Sequence, residues 1–147
     1  GQEWLLQELN KRSIDASFIL KTAPIRHSKD EAVQTIRLAK ERGFKTIGSI
    51  SVAYHSGRTL PYTLAAMKEE SYFVSFHTLP PPCTDWWSPV LGSQGLTTVP
   101  QARSIIDDAL KIEEHIKKGF AAPFPEVLHY LLNREEIVKT QRFDYEE

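Results

Sequence analysis

Short apolar runs and segments of helical period alternate in the first half of this chain, and that alternation restricts its fold more than any other feature. Ala16–Leu20 reads as a buried strand. Ser28–Arg42 sets Ala32, Val33, Ile36 and Ala39 on one helical face, and Gly43 suits the residue that ends such a helix. Phe44–Ser51 reads as the next strand, with Ile47 and Ile50 near its centre. A helix over about Arg58–Glu69 follows, with Pro61 tolerable only near its first turn, and Ser71–Phe76 reads as a third strand. Strand, helix, strand, helix, strand at this spacing implies an α/β fold with right-handed parallel crossovers.

The flanking parts differ. Trp4, Leu5 and Leu9 predict a short amphipathic helix ending near Arg12. Leu79–Pro100 holds Pro80, Pro81, Pro82, Pro89 and Pro100, with Trp86, Trp87, Gly92 and Gly95, and reads as one long loop. Loops this long in compact domains are functional or mobile. Pro100 then opens a helix expected to turn Ala102, Ile105, Ile106, Ala109, Ile112 and Ile116 inward, closed by Gly119. Pro125–Leu132 predicts a last amphipathic helix, with Arg134–Glu147 as a charged tail.

The 147 residues suit one domain, residues 1–147, able to bury a core without disulfides. Apolar residues make up 41% and charged residues 25%, a globular balance. A net charge of −1 gives no electrostatic reason to expect nucleic acid or an anionic membrane as partner. No apolar run approaches the roughly 20 residues that span a bilayer. Gly1–Asn10 lacks the basic start and apolar stretch of a leader peptide, and a chain opening on Gly is compatible with trimming. A cytoplasmic and an envelope-associated location both fit. The lone cysteine, Cys83, forms no internal disulfide and has no neighbouring base to make it a nucleophile.

In parallel sheets ligands bind where strands end, which selects the loops Lys21–Ser28, Val52–Gly57 and His77–Trp87. Each carries a histidine: His27, His55 and His77. Their separations match no compact metal motif, so no metal site is expected, and no cofactor is named by the sequence. The segment Ser51–Arg58 is the most informative, since it runs from a strand into a helix N-terminus, which favours anions. Gly57 permits close backbone approach, Arg58 offers a planar fork for phosphate or carboxylate, and His55 suits general acid–base chemistry. The plainer alternative is that Ser56 caps the helix and Arg58 faces water. Ser28-Lys-Asp-Glu31 reads as a capping box, and the same Ser28 and Glu31 are candidates to orient a ligand together with Ser51. Asp85-Trp86-Trp87 is either a stacking lid or a loop anchor, while Glu113, Glu114 and His115 read as a solvated face. Gly-rich phosphate loops, nucleophile elbows and H-E-x-x-H are absent.

Two motifs also carry a resemblance. His27-Ser-Lys-Asp-Glu-Ala32 and Ile50-Ser-Val-Ala-Tyr-His-Ser-Gly-Arg58, with Leu38–Gly43, Lys111–Gly119 and Glu126–Leu131, resemble the YdcF/SanA/ElyC-like family of bacterial α/β domains. The sharpest part is Tyr54-His55-x-x-Arg58, which adds Tyr54 to the ligand-binding candidates. Where the family has Asn-Thr and Thr-Ser, this chain has His27-Ser28 and Ser51-Val52, and the family's first strand with a Gly-rich turn has no counterpart. The resemblance implies a three-layer α/β/α fold with a mostly parallel, Rossmann-like sheet lacking its usual first strand. It also implies a link to envelope or lipid-carrier metabolism but names no substrate; the loop residues themselves point to a small anionic, phosphorylated or nucleotide-like ligand, bound or acted on by an enzyme domain. The other class of function open to the chain is a non-catalytic module meeting a protein partner through the Pro/Trp loop and C-terminal helices.

Overall fold

The computed structural model describes residues 2–13, 25, 27–79, 85–89, 91–92, 95–96 and 99–145. In chain order these form α1 (Gln2–Lys11), α2 (Ser28–Arg42), β1 (Thr46–Ile50), α3 (Ser56–Glu70), β2 (Ser75–Leu79), β3 (Leu91–Gly92), β4 (Gly95–Leu96), α4 (Gln101–Lys117) and α5 (Phe124–Thr140). The class is α/β. The expected strand Ala16–Leu20, most of the loop Lys21–Ser28 and Cys83 lie outside the described residues.

β1 and β2 pair in parallel, with Ile47 opposite Phe76 and Gly48 opposite His77, and α3 joins them. α2 and α3 pack against each other, and the four residues expected on the inner face of α2 are the ones buried there. They meet Tyr62, Leu64 and Met67 of α3 and Phe73, Val74 and Phe76 at and before β2. Gly43 ends α2 with φ 71°, and its N–H returns to the helix carbonyls of Ala39 and Lys40. Only glycine takes that left-handed conformation freely.

Several elements differ from their expected bounds. α3 starts at Ser56, behind a 3-10 turn over Ala53–His55, so Pro61 sits inside the helix instead of in its first turn. There it is fully buried, and its carbonyl accepts the N–H of Ala122 at 2.9 Å. β2 runs Ser75–Leu79, later than expected, because Ser71 takes a left-handed turn that returns its N–H to Lys68 and Met67. The Pro/Trp loop contains a small antiparallel ladder, β3 with β4. The Ser28–Glu31 capping box does not form. His27 is the N-cap, extended at φ −139°, no side chain caps the helix, and Ser28 is its first residue.

α5 is longer than Pro125–Leu132 and absorbs much of the expected tail. The helix and its C-cap cover the outer edge of β2 and the residues before it. The Tyr130 hydroxyl donates to the Val74 carbonyl at 2.6 Å and accepts the Phe76 N–H at 2.9 Å. Arg134 donates to the Phe76 carbonyl at 3.2 Å, and Gln141 both accepts from and donates to the Phe73 backbone. Side chains thus satisfy backbone groups that a neighbouring strand would otherwise take, which shields an edge from wrong pairing. The other edge, along β1, has no strand partner among the described residues.

One face of the sheet is covered and the other is open. Phe76 is buried on the covered face, whereas Thr46, Gly48 and Ile50 with Ser75, His77 and Leu79 stay exposed or half-buried, Ile50 at 77%. No helix among the described residues is long and apolar enough to cross a membrane.

Candidate functional site

β1 ends at Ile50, and the chain turns at Ser51 and Val52 into the 3-10 turn Ala53–His55. The turn feeds directly into α3. His55 N–H bonds the Val52 carbonyl and Ser56 N–H the Ala53 carbonyl, so the free helix end lies at Val52–Tyr54 and not at Arg58 as the sequence suggested. The turn packs against α4, which brings a distant residue to it: Asp108.

Asp108 organises the site. Its side chain is only 6% exposed, yet both carboxylate oxygens are used. Oδ2 lies 2.5 Å from His55 Nδ1, and Oδ1 accepts from Arg58 Nη1 at 3.0 Å. Arg58 Nη2 lies 3.2 Å from His55 Nε2. An arginine only donates, so Nε2 must accept and the ring proton must sit on Nδ1, donated to Asp108. The three groups form a closed ring of hydrogen bonds around one neutral imidazole tautomer. The positive charge of Arg58 is offset by Asp108, as a half-buried cation requires.

The surroundings are polar but ordered. The Tyr54 ring is buried and lies 4.0 Å from the His55 ring, centre to centre. The Ser51 hydroxyl bonds the Val52 carbonyl at 3.3 Å and lies 3.4 Å from that of Ser56. The Thr59 hydroxyl, which donates to the Ser56 carbonyl, receives a bond from Thr78 at 3.2 Å, tying α3 to the end of β2. Space beside Gly57 is open: a Cβ added there meets no atom within 4 Å. One turn further, the Tyr62 hydroxyl bonds His115 Nδ1. Burial pushes the Tyr62 phenol above its ordinary range, while Arg58 pulls it back and Asp108 adds to the rise.

The sequence candidates therefore divide. Ser51, Tyr54, His55 and Arg58 come together. Ser28, His27 and Glu31 make no side-chain hydrogen bond or ion pair among the described residues, and His27 and Glu31 are exposed. His77 is not in a strand-end loop but at the middle of β2, where Nε2 meets Ser75 Oγ at 3.0 Å. No group of three or more His, Cys, Asp or Glu among the described residues is placed to hold a metal ion. Trp86 and Trp87 make no ring contact among the described residues. The backbone beside them is pinned instead, Trp86 by the Ala102 N–H at 3.0 Å and Asp85 by Gln101.

The expected apolar face of α4 holds only in part: Ile112 is buried and Ile116 packs against the core, but towards the start of the helix the body-facing stripe is polar and includes Asp108, which the apolar pattern does not reveal. Gln101, Ser104, Asp108 and Ile112 are its buried residues, while Ile105, Ile106 and Ala109 face out. The usable signal was the polar stripe itself: Gln101, Ser104, Asp108 and His115 recur at helical spacing. No family model, curated protein or solved structure matches this chain.

Proposed function

We propose that this chain is a small-molecule-binding domain that takes a phosphorylated or nucleotide-like anion at the Ser51–Arg58 turn, with His55 as its acid–base group. The observation that carries this reading is the Asp108 carboxylate, which holds His55 in one tautomer and aims Arg58 at the same point. A buried carboxylate behind a histidine is how a general base is oriented. Arg58 covers Nε2, the basic nitrogen of the ring. An arriving phosphate or carboxylate competes for the Arg58 fork, draws Nη2 off the ring and uncovers Nε2 beside the ligand. Ser51, Ser56 and Tyr54 adjoin these groups along the chain, and Gly57, between His55 and Arg58, carries no side chain to obstruct a ligand there.

This reading carries the YdcF/SanA/ElyC-like resemblance with it, and so a place in envelope-related metabolism. The matching residues Tyr54, His55 and Arg58 are the ones that gather here. It also carries the finer architecture, a three-layer Rossmann-like sheet. The β1 edge, which has no strand partner among the described residues, and the open face of Thr46, Gly48 and Ile50 leave places for a further strand and a further layer.

A thermal-shift screen over nucleotides, phosphosugars and prenyl phosphates tests the proposal. A ligand at a hundred times its Kd adds about 2.7 kcal/mol, a rise of roughly 5–11 °C for a domain of this size. His55→Ala and Arg58→Ala should remove the rise while still folding. If both variants are stabilised like the parent, the ligand binds elsewhere.

A second reading, a regulatory module for a protein partner, is favoured by the 80% exposed Trp87 and by Phe124, Leu128 and Leu132 exposed along α5. A pull-down in which Trp86→Ala and Trp87→Ala keep every partner would count against it.

A further inference from the structure

α4 is amphipathic with its sides reversed. The stripe against the body is mostly polar, and the outward side carries Ile105, Ile106 and Leu110. At 3.6 residues per turn, Arg103, Ile106, Leu110 and Glu113 fall within an arc of about 80°, centred directly opposite Asp108. The exposures agree with that placement: Ile106 is 50% and Leu110 62% exposed, and Arg103 and Glu113 are exposed too. The spacing of three, four and three residues is that of a helix-pairing seam.

The charges select the occupant. Read in reverse, base-Ile-Leu-acid becomes acid-Leu-Ile-base. An antiparallel copy of the same helix, related by a two-fold axis level with Asp108, sets Arg103 against Glu113 and Ile106 against Leu110, each pair twice. A parallel copy would set Arg103 against Arg103 and Glu113 against Glu113, which repel. Arg103 makes no ion pair among the described residues, while Glu113 lies 2.7 Å from Lys117 on its own helix and keeps oxygens free for a second cation. A seam carrying both signs does not suit an anionic membrane surface. Self-complementarity of this kind is what an isologous dimer needs.

We infer that α4 is a dimerisation helix, pairing antiparallel with α4 of a second copy of this chain through Arg103, Ile106, Leu110 and Glu113. The pairing grips α4 from behind, on the side opposite the Asp108 carboxylate, and so braces the helix that holds His55 and Arg58. It stands independently of the ligand reading above.

Light scattering after size exclusion, with sedimentation velocity over a hundredfold concentration range, tests it on the full chain. The expected mass is about twice 16.8 kDa, falling to one copy on dilution. Leu110→Glu should leave monomer at every concentration. Arg103→Glu and Glu113→Arg should each weaken the dimer roughly tenfold, because two-fold symmetry counts each pair twice. Combining the two reversals should restore it. Circular dichroism checks that the variants fold; if Leu110→Glu does not, the two reversals decide. A monomer throughout, a dimer indifferent to Leu110→Glu, a combined reversal no tighter than either single one, or binding to anionic vesicles in place of self-association would each overturn the inference.

Discussion

Asp108→Asn separates the ring of hydrogen bonds from a mere clustering of polar side chains. The amide keeps the shape and loses one acceptor. If Oδ1 faces Arg58, the amide N–H₂ points at the His55 Nδ1–H, donor against donor. If Oδ1 faces His55, the N–H₂ points at Arg58. Moving the histidine proton to Nε2 does not help, because Arg58 Nη2 already donates there. One charge-assisted hydrogen bond is lost in every arrangement, worth about 1.5–3 kcal/mol. Breaking a fully buried pair costs about 3–5 kcal/mol, but Arg58 and His55 keep some access to water and the figure must be discounted. The expected loss is about 2 kcal/mol, a drop in Tm of roughly 4–8 °C. Asp107→Asn, one residue away on an exposed face, should change stability by less than about 0.5 kcal/mol. Urea unfolding gives the stability. Nitrogen-15 spectra of the His55 ring report the tautomer, expected to carry its proton on Nδ1 in the parent, and the ring signals should shift in the variant as the charged acceptor at Nδ1 is lost. If Asp108→Asn melts with Asp107→Asn and the ring spectrum is unaltered, the reasoning about this site is wrong.

Two further expectations concern the scaffold. Burial raises the Tyr130 hydroxyl above its ordinary value of 10.0, with the Phe76 N–H and Arg134 pulling it partly back. A folded value above the unfolded one gives stability that is complete below about pH 10 and lost as pH rises through the folded value. Melts from about pH 8 to 12 should show that loss in the parent and less of it in Tyr130→Phe, which should also cost about 1–3 kcal/mol at neutral pH by stranding Phe76 N–H and the Val74 carbonyl. Parallel pH curves for the two proteins would refute it. Ser71 and Gln141 both end helices in left-handed conformations, φ 49° and φ 57°. Ser71→Gly should stabilise by about 0.5–1 kcal/mol, whereas Gln141→Gly should destabilise by about 1–2 kcal/mol, because the Gln141 side chain bonds the Phe73 backbone and the Val138 carbonyl. Equal shifts of one sign would show that backbone strain alone governs both positions.

What the sequence made legible follows from which interactions are local. α2 was readable to the residue, because its buried face and its Gly43 terminator depend on neighbours within a few turns. Tyr54, His55 and Arg58 were readable as a group, since the tight turn holds the first two and Arg58 follows within the first turn of α3. The capping box, by contrast, matched its pattern and did not form; His27 took the cap in an extended conformation and carried Ser28 into the helix. The end of α5 looked like a charged tail because Arg134 and Gln141 act through the distant backbone of Phe73 and Phe76, which no local pattern reveals. His77 fell inside β2 for a related reason: the left-handed turn at Ser71 delays the strand, and that turn uses a residue with no glycine to announce it.

α4 shows where hydrophobic periodicity misleads, and why the site depended on it. Periodicity finds a helix and its apolar side, but it does not say what that side meets. The rule that the apolar side faces the chain's own core holds only when nothing else covers it. Here the body-facing stripe contains Asp108, whose carboxylate is satisfied by two partners more than 45 residues away in sequence. The turn alone points to the two partners, His55 and Arg58, whereas nothing local in sequence marks Asp108 as the third member of their ring. A polar stripe recurring at helical spacing along a helix whose apolar side is equally regular is thus a signal in its own right. One of the two sides must meet a polar site, and the side carrying a lone carboxylate at the level of an Arg–His turn is the one to choose.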